Sequence, residues 1–168
     1  MPQIAWGAKV SPSFKRKVIE VCEKLECNPD YFMAAIAFES GETFSPKAKN
    51  QFSGATGLIQ FMPSTAQGLG TSIADLEGMT GVEQLEWVFK YFQSKKGKLR
   101  TLSDLYMTIL WPAAVGKPED TPIFKRGTFQ YEQYAGLDHN GDGMVTKAEA
   151  ASLVEARLHK GLSPGFLG

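Results

Sequence analysis

The chain has 168 residues, 43% of them hydrophobic, with 18 basic and 18 acidic residues and no net charge. That length suits one domain with a substantial core. The charge balance argues against a nucleic-acid binder driven by phosphate neutralisation, and no run approaches the length of a membrane span.

The opening stretch MPQIAWGAKVSPSFKR lacks the basic-then-apolar order of a signal peptide, so something else is expected to deliver the protein if it works outside a cytoplasm. Ser11-Pro12 opens a first helix in which Phe14, Val18, Cys22 and Leu25 recur at helical spacing, with Cys22 read as a buried thiol. Asn28-Pro29 starts a second: Asn accepts a bond from a free backbone N–H, and Pro tolerates the first helical position. From Tyr31 to Phe38 this helix is apolar on every face, which predicts burial in the middle of a domain. Glu39 then falls in its last turn. Partial desolvation and the negative end of the helix dipole both disfavour its carboxylate, so its pKa is expected to be raised, as a general acid near neutral pH requires.

Residues 41 to 57, GETFSPKAKNQFSGATG, read as a long loop, and a loop of that length is more often functional than filler. A short helix is expected after Pro63. Thr80 with Glu83 forms a capping-box pattern, followed by an apolar stripe of Val82, Leu85, Val88, Phe89 and Phe92. Thr101 to Trp111 is a further helix, stopped by Pro112. Residues 113 to 136 read as irregular, with a short strand around TFQYEQY. A last helix spans Thr146 to His159, and residues 160 to 168 are expected to fray. Strand alternation is otherwise absent, so the fold is mainly α.

Between these last elements lies DHNGDGMVTKAE, residues 138 to 149. Asp138, Asn140 and Asp142 occupy positions one, three and five of a calcium loop, with Gly143 at the sharp turn. Met144 would offer its carbonyl at seven, Thr146 stands at nine, and Glu149 can close the shell at twelve. One calcium ion, acting as a structural clamp on the final helix and remote from any chemistry, is the expectation. No second such loop exists, so Val145 must pack against something else.

The pair AIAFESG and SGATGLIQFMPSTA resembles the lytic transglycosylase and goose-type lysozyme group, which carries a Glu-Ser pair, then a Gly-Leu-Met-Gln-like motif and a Met-Pro-x-Thr-Ala helix start. Here these are Glu39-Ser40, Gly57-Leu58-Ile59-Gln60 and Met62-Pro63-Ser64-Thr65-Ala66. The resemblance implies a single compact, lysozyme-like domain over residues 1 to 168, mainly α within an α+β family. Residues 28 to 111 would form its catalytic core and 138 to 149 its calcium loop. It implies cleavage of the bond between N-acetylmuramic acid and N-acetylglucosamine in peptidoglycan glycan strands. Glu39 would be the single general acid and base, the product a 1,6-anhydro sugar, and no cofactor would be needed for the chemistry. Ser40, Ser53, Gly57 and Gln60 would contact the sugar or orient Glu39, with the family's third-motif tyrosine at Tyr106 or its place taken by Trp111. Glu42 is the only nearby second carboxylate. A hydrolytic muramidase of the same fold and a calcium-dependent cell-wall-binding protein without activity are the alternatives. Compact members of this kind resemble bacteriophage enzymes, packaged in the particle or released at lysis, and a monomer is expected.

Overall fold

The computed structural model describes residues 1–168. Its helices are α1 (Pro12–Leu25), α2 (Pro29–Glu39), α3 (Pro63–Leu69), α4 (Ile73–Glu77), α5 (Gly81–Phe92), α6 (Leu102–Leu110), α7 (Phe129–Tyr134) and α8 (Lys147–Gly161). Two short strands, β1 (Pro122–Lys125) and β2 (Met144–Thr146), pair antiparallel. No helix is long and apolar enough to cross a membrane.

Local chemistry sets the helix starts. Side-chain oxygens of Ser11, Asn28, Ser72, Thr80, Thr101, Thr128 and Thr146 each accept a backbone N–H of the first turn. The expected capping box at Thr80 and Glu83 is present, and a second one joins Thr146 to Glu149. From Phe32 to Ala37, α2 is no more than 1% exposed, because α1, α6 and α8 cover it from different sides.

The contact between α2 and α8 is the most extensive in the molecule. The final helix therefore packs along the helix that carries Glu39: residues more than a hundred positions apart share one core.

Three expectations change. TFQYEQY is helix α7, because Thr128 caps it and turns the segment helical. The strand lies earlier, at β1, where Phe124 pairs with Val145 and Lys125 with Met144. The partner that Val145 needs is thus a strand outside any second calcium loop. The tail does not fray: Ile4 and Gly168 exchange backbone bonds of 2.8 and 3.2 Å, and Ala8 N–H donates to Phe166 at 3.0 Å. Phe166 meets the ring of Trp6 edge-on at 5.1 Å, and the Trp6 indole N–H donates to the Arg157 carbonyl at 2.9 Å. A Cβ at Gly161 would stand 2.3 Å from Trp6, so only glycine lets the indole seat against α8.

Asp104 of α6 and Lys147 at the start of α8 form a buried ion pair. Lys147 also donates to the Lys117 carbonyl at 2.8 Å, and Gly116 N–H to Asp104 at 2.8 Å. Burial alone would push the Asp104 carboxyl up, but the bonds from Lys147, Gly116 and Thr101 outweigh it and hold it below its ordinary value.

Candidate active site

Glu39 ends α2 because the next residues cannot extend it. Ser40 N–H still donates to the Ile36 carbonyl at 2.9 Å, after which Gly41, Glu42 and Phe44 all have positive φ. The Ser40 hydroxyl donates to the same Ile36 carbonyl at 2.7 Å and accepts Phe44 N–H at 3.0 Å. Buried and twice bonded, Ser40 holds the turn behind Glu39.

Burial pushes the Glu39 carboxyl up to about 7. Its carboxylate has no ion-pair partner, whereas Glu42 is engaged elsewhere. Lys160 Nζ lies 2.6 Å from Glu42, and Arg157 Nε lies 2.8 Å away as an ion pair without the alignment of a hydrogen bond. Glu42 is thereby tied to α8 and unsuited to serve as a second catalytic carboxylate.

Three tyrosines lie within reach of the Glu39 charge. Burial raises Tyr91, Tyr106 and Tyr134 above their ordinary values, Tyr91 to about 12, and the Glu39 charge adds to each. Tyr106 is buried, meeting Phe38 edge-on at 5.7 Å. Trp111 instead packs on Phe124 of β1 at 5.3 Å. Of the two sequence candidates, Tyr106 packs on the residue before Glu39, and Trp111 on β1. Tyr91 and Tyr134 went unseen in the sequence, Tyr91 because it sits within an amphipathic stripe and Tyr134 because its segment read as a strand.

The tyrosines that feel the Glu39 charge line two cavities. One, of about 360 Å³, is lined by Phe38, Tyr106, Tyr134, Leu137, Ala150 and Leu153 among others. A smaller one, of about 70 Å³, holds Gln60, Tyr91, Ile59, Phe61, Thr65 and Ile109. Both flanks of the 138–149 loop thus wall the larger cavity.

Gln60 has φ 58°, and its amide nitrogen donates to the Ala48 and Gly57 carbonyls at 2.9 and 3.1 Å. These bonds hold the 48–60 loop and leave the amide oxygen as the group able to accept from a ligand. Gly57 leaves room for a neighbour: a Cβ there would lie 2.4 Å from Gln84 Oε1. Gln84, fully buried, accepts Leu58 N–H at 2.8 Å and donates to the Pro46 and Leu76 carbonyls at 3.0 and 2.9 Å. Its signal in the sequence is an amide on the apolar face of α5. Ser53 lies on an exposed turn, its hydroxyl accepting Ala55 N–H at 3.2 Å, next to the fully exposed Phe52.

In the 138–149 loop, Gly141 and Gly143 take the positive φ that the turns demand. Asp138 accepts N–H bonds from Asp142 and Gly143 and the Tyr131 hydroxyl at 2.7 Å. Glu149 reaches back across the loop, accepting His139 N–H at 2.8 Å and Thr146 N–H at 3.0 Å. Asn140 accepts Asp142 N–H at 3.3 Å, while the Thr146 hydroxyl caps α8. The donors are all oxygens, and the twelfth residue already reaches back to the second, His139, which fits a hard cation. No cluster of three or more His, Cys, Asp or Glu side chains stands close enough to hold a metal as the side chains lie.

Residues 17–99, about half of the chain, match the protein family described as transglycosylase SLT domain. The match includes Glu39, Ser40, Gln60, Gln84 and Tyr91 and ends before Tyr106. No curated protein and no solved structure matches the chain.

Proposed function

We propose, from the premise that residues 17–99 carry a transglycosylase SLT domain, that this protein is a peptidoglycan lytic transglycosylase with Glu39 as its single acid and base. The observation that carries the reading is a carboxyl raised to about 7 with no ion-pair partner and no second free carboxylate beside it. Protonated Glu39 would donate to the oxygen leaving C1 of N-acetylmuramic acid as that C–O bond breaks and positive charge builds on the ring. Its carboxylate would then take the proton of the same sugar's 6-hydroxyl while O6 bonds to C1. The 1,6-anhydro ring closes, Glu39 regains its proton, and no water is consumed.

Tyr106, Tyr91 and Tyr134 would border the reacting ring, and Gln60 would accept a sugar N–H or O–H through its free oxygen. Ser40 would hold the acid in place from behind. Asp138, Asn140, Asp142, the Met144 carbonyl, Glu149 and the Thr146 position would hold one calcium ion. The ion would neutralise carboxylates that otherwise repel. The site of action on this reading is the bacterial cell wall, reached by a phage-type route.

Mass spectrometry of products from purified cell wall tests the proposal. Anhydromuramic ends support it. Reducing ends alone would replace it with the hydrolytic muramidase reading, and absence of any cleavage with the binding-protein reading.

A further inference from the structure

Zero net charge conceals an asymmetry. Between Glu86 and Asp104 the chain carries Lys90, Lys95, Lys96, Lys98 and Arg100 and no acidic residue, which leaves an acidic excess elsewhere. Lys95, Lys96, Lys98 and Arg100 take part in none of the molecule's ion pairs. Lys96, Lys98 and Arg100 are exposed.

The turn that displays them is rigidly mounted. Gly97, at φ 77°, donates its N–H to the Leu25 carbonyl at 3.1 Å, and Leu99 is inserted into the core at 1% exposure. In an extended segment alternate residues face opposite sides, so burying Leu99 turns Lys98 and Arg100 outward together. Both border a cavity of about 350 Å³ with Thr101, Val115 and Gly116. The one acid in its wall, Asp104, is already matched by the buried Lys147. Glu26 is the acid beside Gly97, its Oε2 3.1 Å from where a Cβ would stand. A pocket edged by two free cations and a hydroxyl, on backbone that need not be ordered on binding, suits a phosphate group. The flanking Lys95 and Lys96 suit its neighbours along a chain.

We propose that the 95–100 turn is a docking surface for a phosphodiester polymer of the cell wall, separate from the cleft that takes the neutral glycan. This rests on the glycan-cleaving reading for its location, since such polymers share the wall with the glycan strands. The surface would hold the enzyme on its substrate by a contact that salt screens.

End-labelled inorganic polyphosphate serves as the probe, titrated by fluorescence anisotropy into the whole protein at two salt concentrations. Lys98→Gln with Arg100→Gln is expected to weaken binding about tenfold at low salt and to lower the slope of log affinity against log salt by about 1.4–1.8, the loss of two phosphate contacts. Lys15→Gln with Arg16→Gln, a remote pair, is expected to change affinity less than about twofold. Equal losses in the two pairs, an unchanged slope, or tighter binding to phosphatidylglycerol vesicles at equal phosphate would overturn the proposal. Cleavage of wall stripped of phosphate polymers is a separate readout, expected to be intact in the Lys98 and Arg100 variant. Its failure in the wild-type protein strikes the glycan-cleaving reading and leaves polyphosphate binding measurable.

Discussion

Lys160 Nζ stands 2.6 Å from the Glu42 carboxylate, fastening the last turn of α8 to the chain three residues beyond Glu39. One contact therefore removes the only nearby second carboxylate and joins the C-terminal helix to the turn that aims the acid.

Glu39→Gln is expected to fold and to lose cleavage by at least about a thousandfold, because the amide matches the carboxyl in size yet donates no proton at neutral pH. Clearing of purified cell wall measures the loss, and circular dichroism verifies the fold. Turnover near the wild-type rate would remove Glu39 from the chemistry.

The same carboxyl sets a pH dependence. With Glu39 raised to about 7, the competent protonated form is lost above that value, so turnover falls about tenfold per pH unit on the alkaline side. Stability follows the same sign: the folded state holds this proton more tightly than the unfolded chain, so stability falls as pH rises from 4.5 through about 7. The whole term is roughly 1–3 kcal/mol, reduced by the partial exposure of the side chain. Glu39→Gln removes it, and the variant is expected to melt above the wild type at pH 8 and level with it at pH 4.

Gln84→Leu leaves Leu58 N–H and the Pro46 and Leu76 carbonyls without partners and is expected to cost about 3 kcal/mol. Because those groups hold the loop that carries Gln60, activity is expected to fall further than stability alone accounts for. Urea unfolding and wall clearing at equal folded fraction separate the two effects.

Lys147→Met strands the buried Asp104 charge and is expected to cost roughly 3–5 kcal/mol, whereas adding Asp104→Leu recovers part of the loss. Melting of the single and double variants decides it: equal instability would show that the pair is packing alone.

Calcium at a hundred times its dissociation constant is expected to add about 2.7 kcal/mol and roughly 5–10 °C of melting temperature, with Glu149→Gln insensitive to the ion. Since Leu137, Ala150 and Leu153 wall the cavity that Phe38 and Tyr106 also line, chelation is expected to slow cleavage even well below the melting range. Unchanged melting with added calcium would discard the ion; unchanged cleavage in a chelated, folded protein would confine it to stability.

Helix starts, the burial of α2, the partly desolvated position of a lone acid at its end and the oxygen-rich 138–149 loop were legible in the sequence. Each depends on neighbours within a few residues: a cap three positions ahead, an apolar run, or a liganding pattern counted in twelve. Reading TFQYEQY as a strand failed because aromatic alternation is ambiguous, and the Thr128 cap decided for helix. The tail was read as frayed because nothing near it in sequence announces that Trp6 waits for Phe166 and Gly161.

Local pattern thus determined which carboxyl ends the buried helix and where the chain turns. Tertiary structure alone decided what surrounds that acid. Tyr91, Tyr106 and Tyr134 converge on Glu39 from three helices, Gln84 claims the space at Gly57, and Glu42 is taken by α8. The reason is physical: desolvation and ion pairing depend on which surfaces meet across the core, and long-range packing, with no periodicity along the chain, leaves no local signature to read.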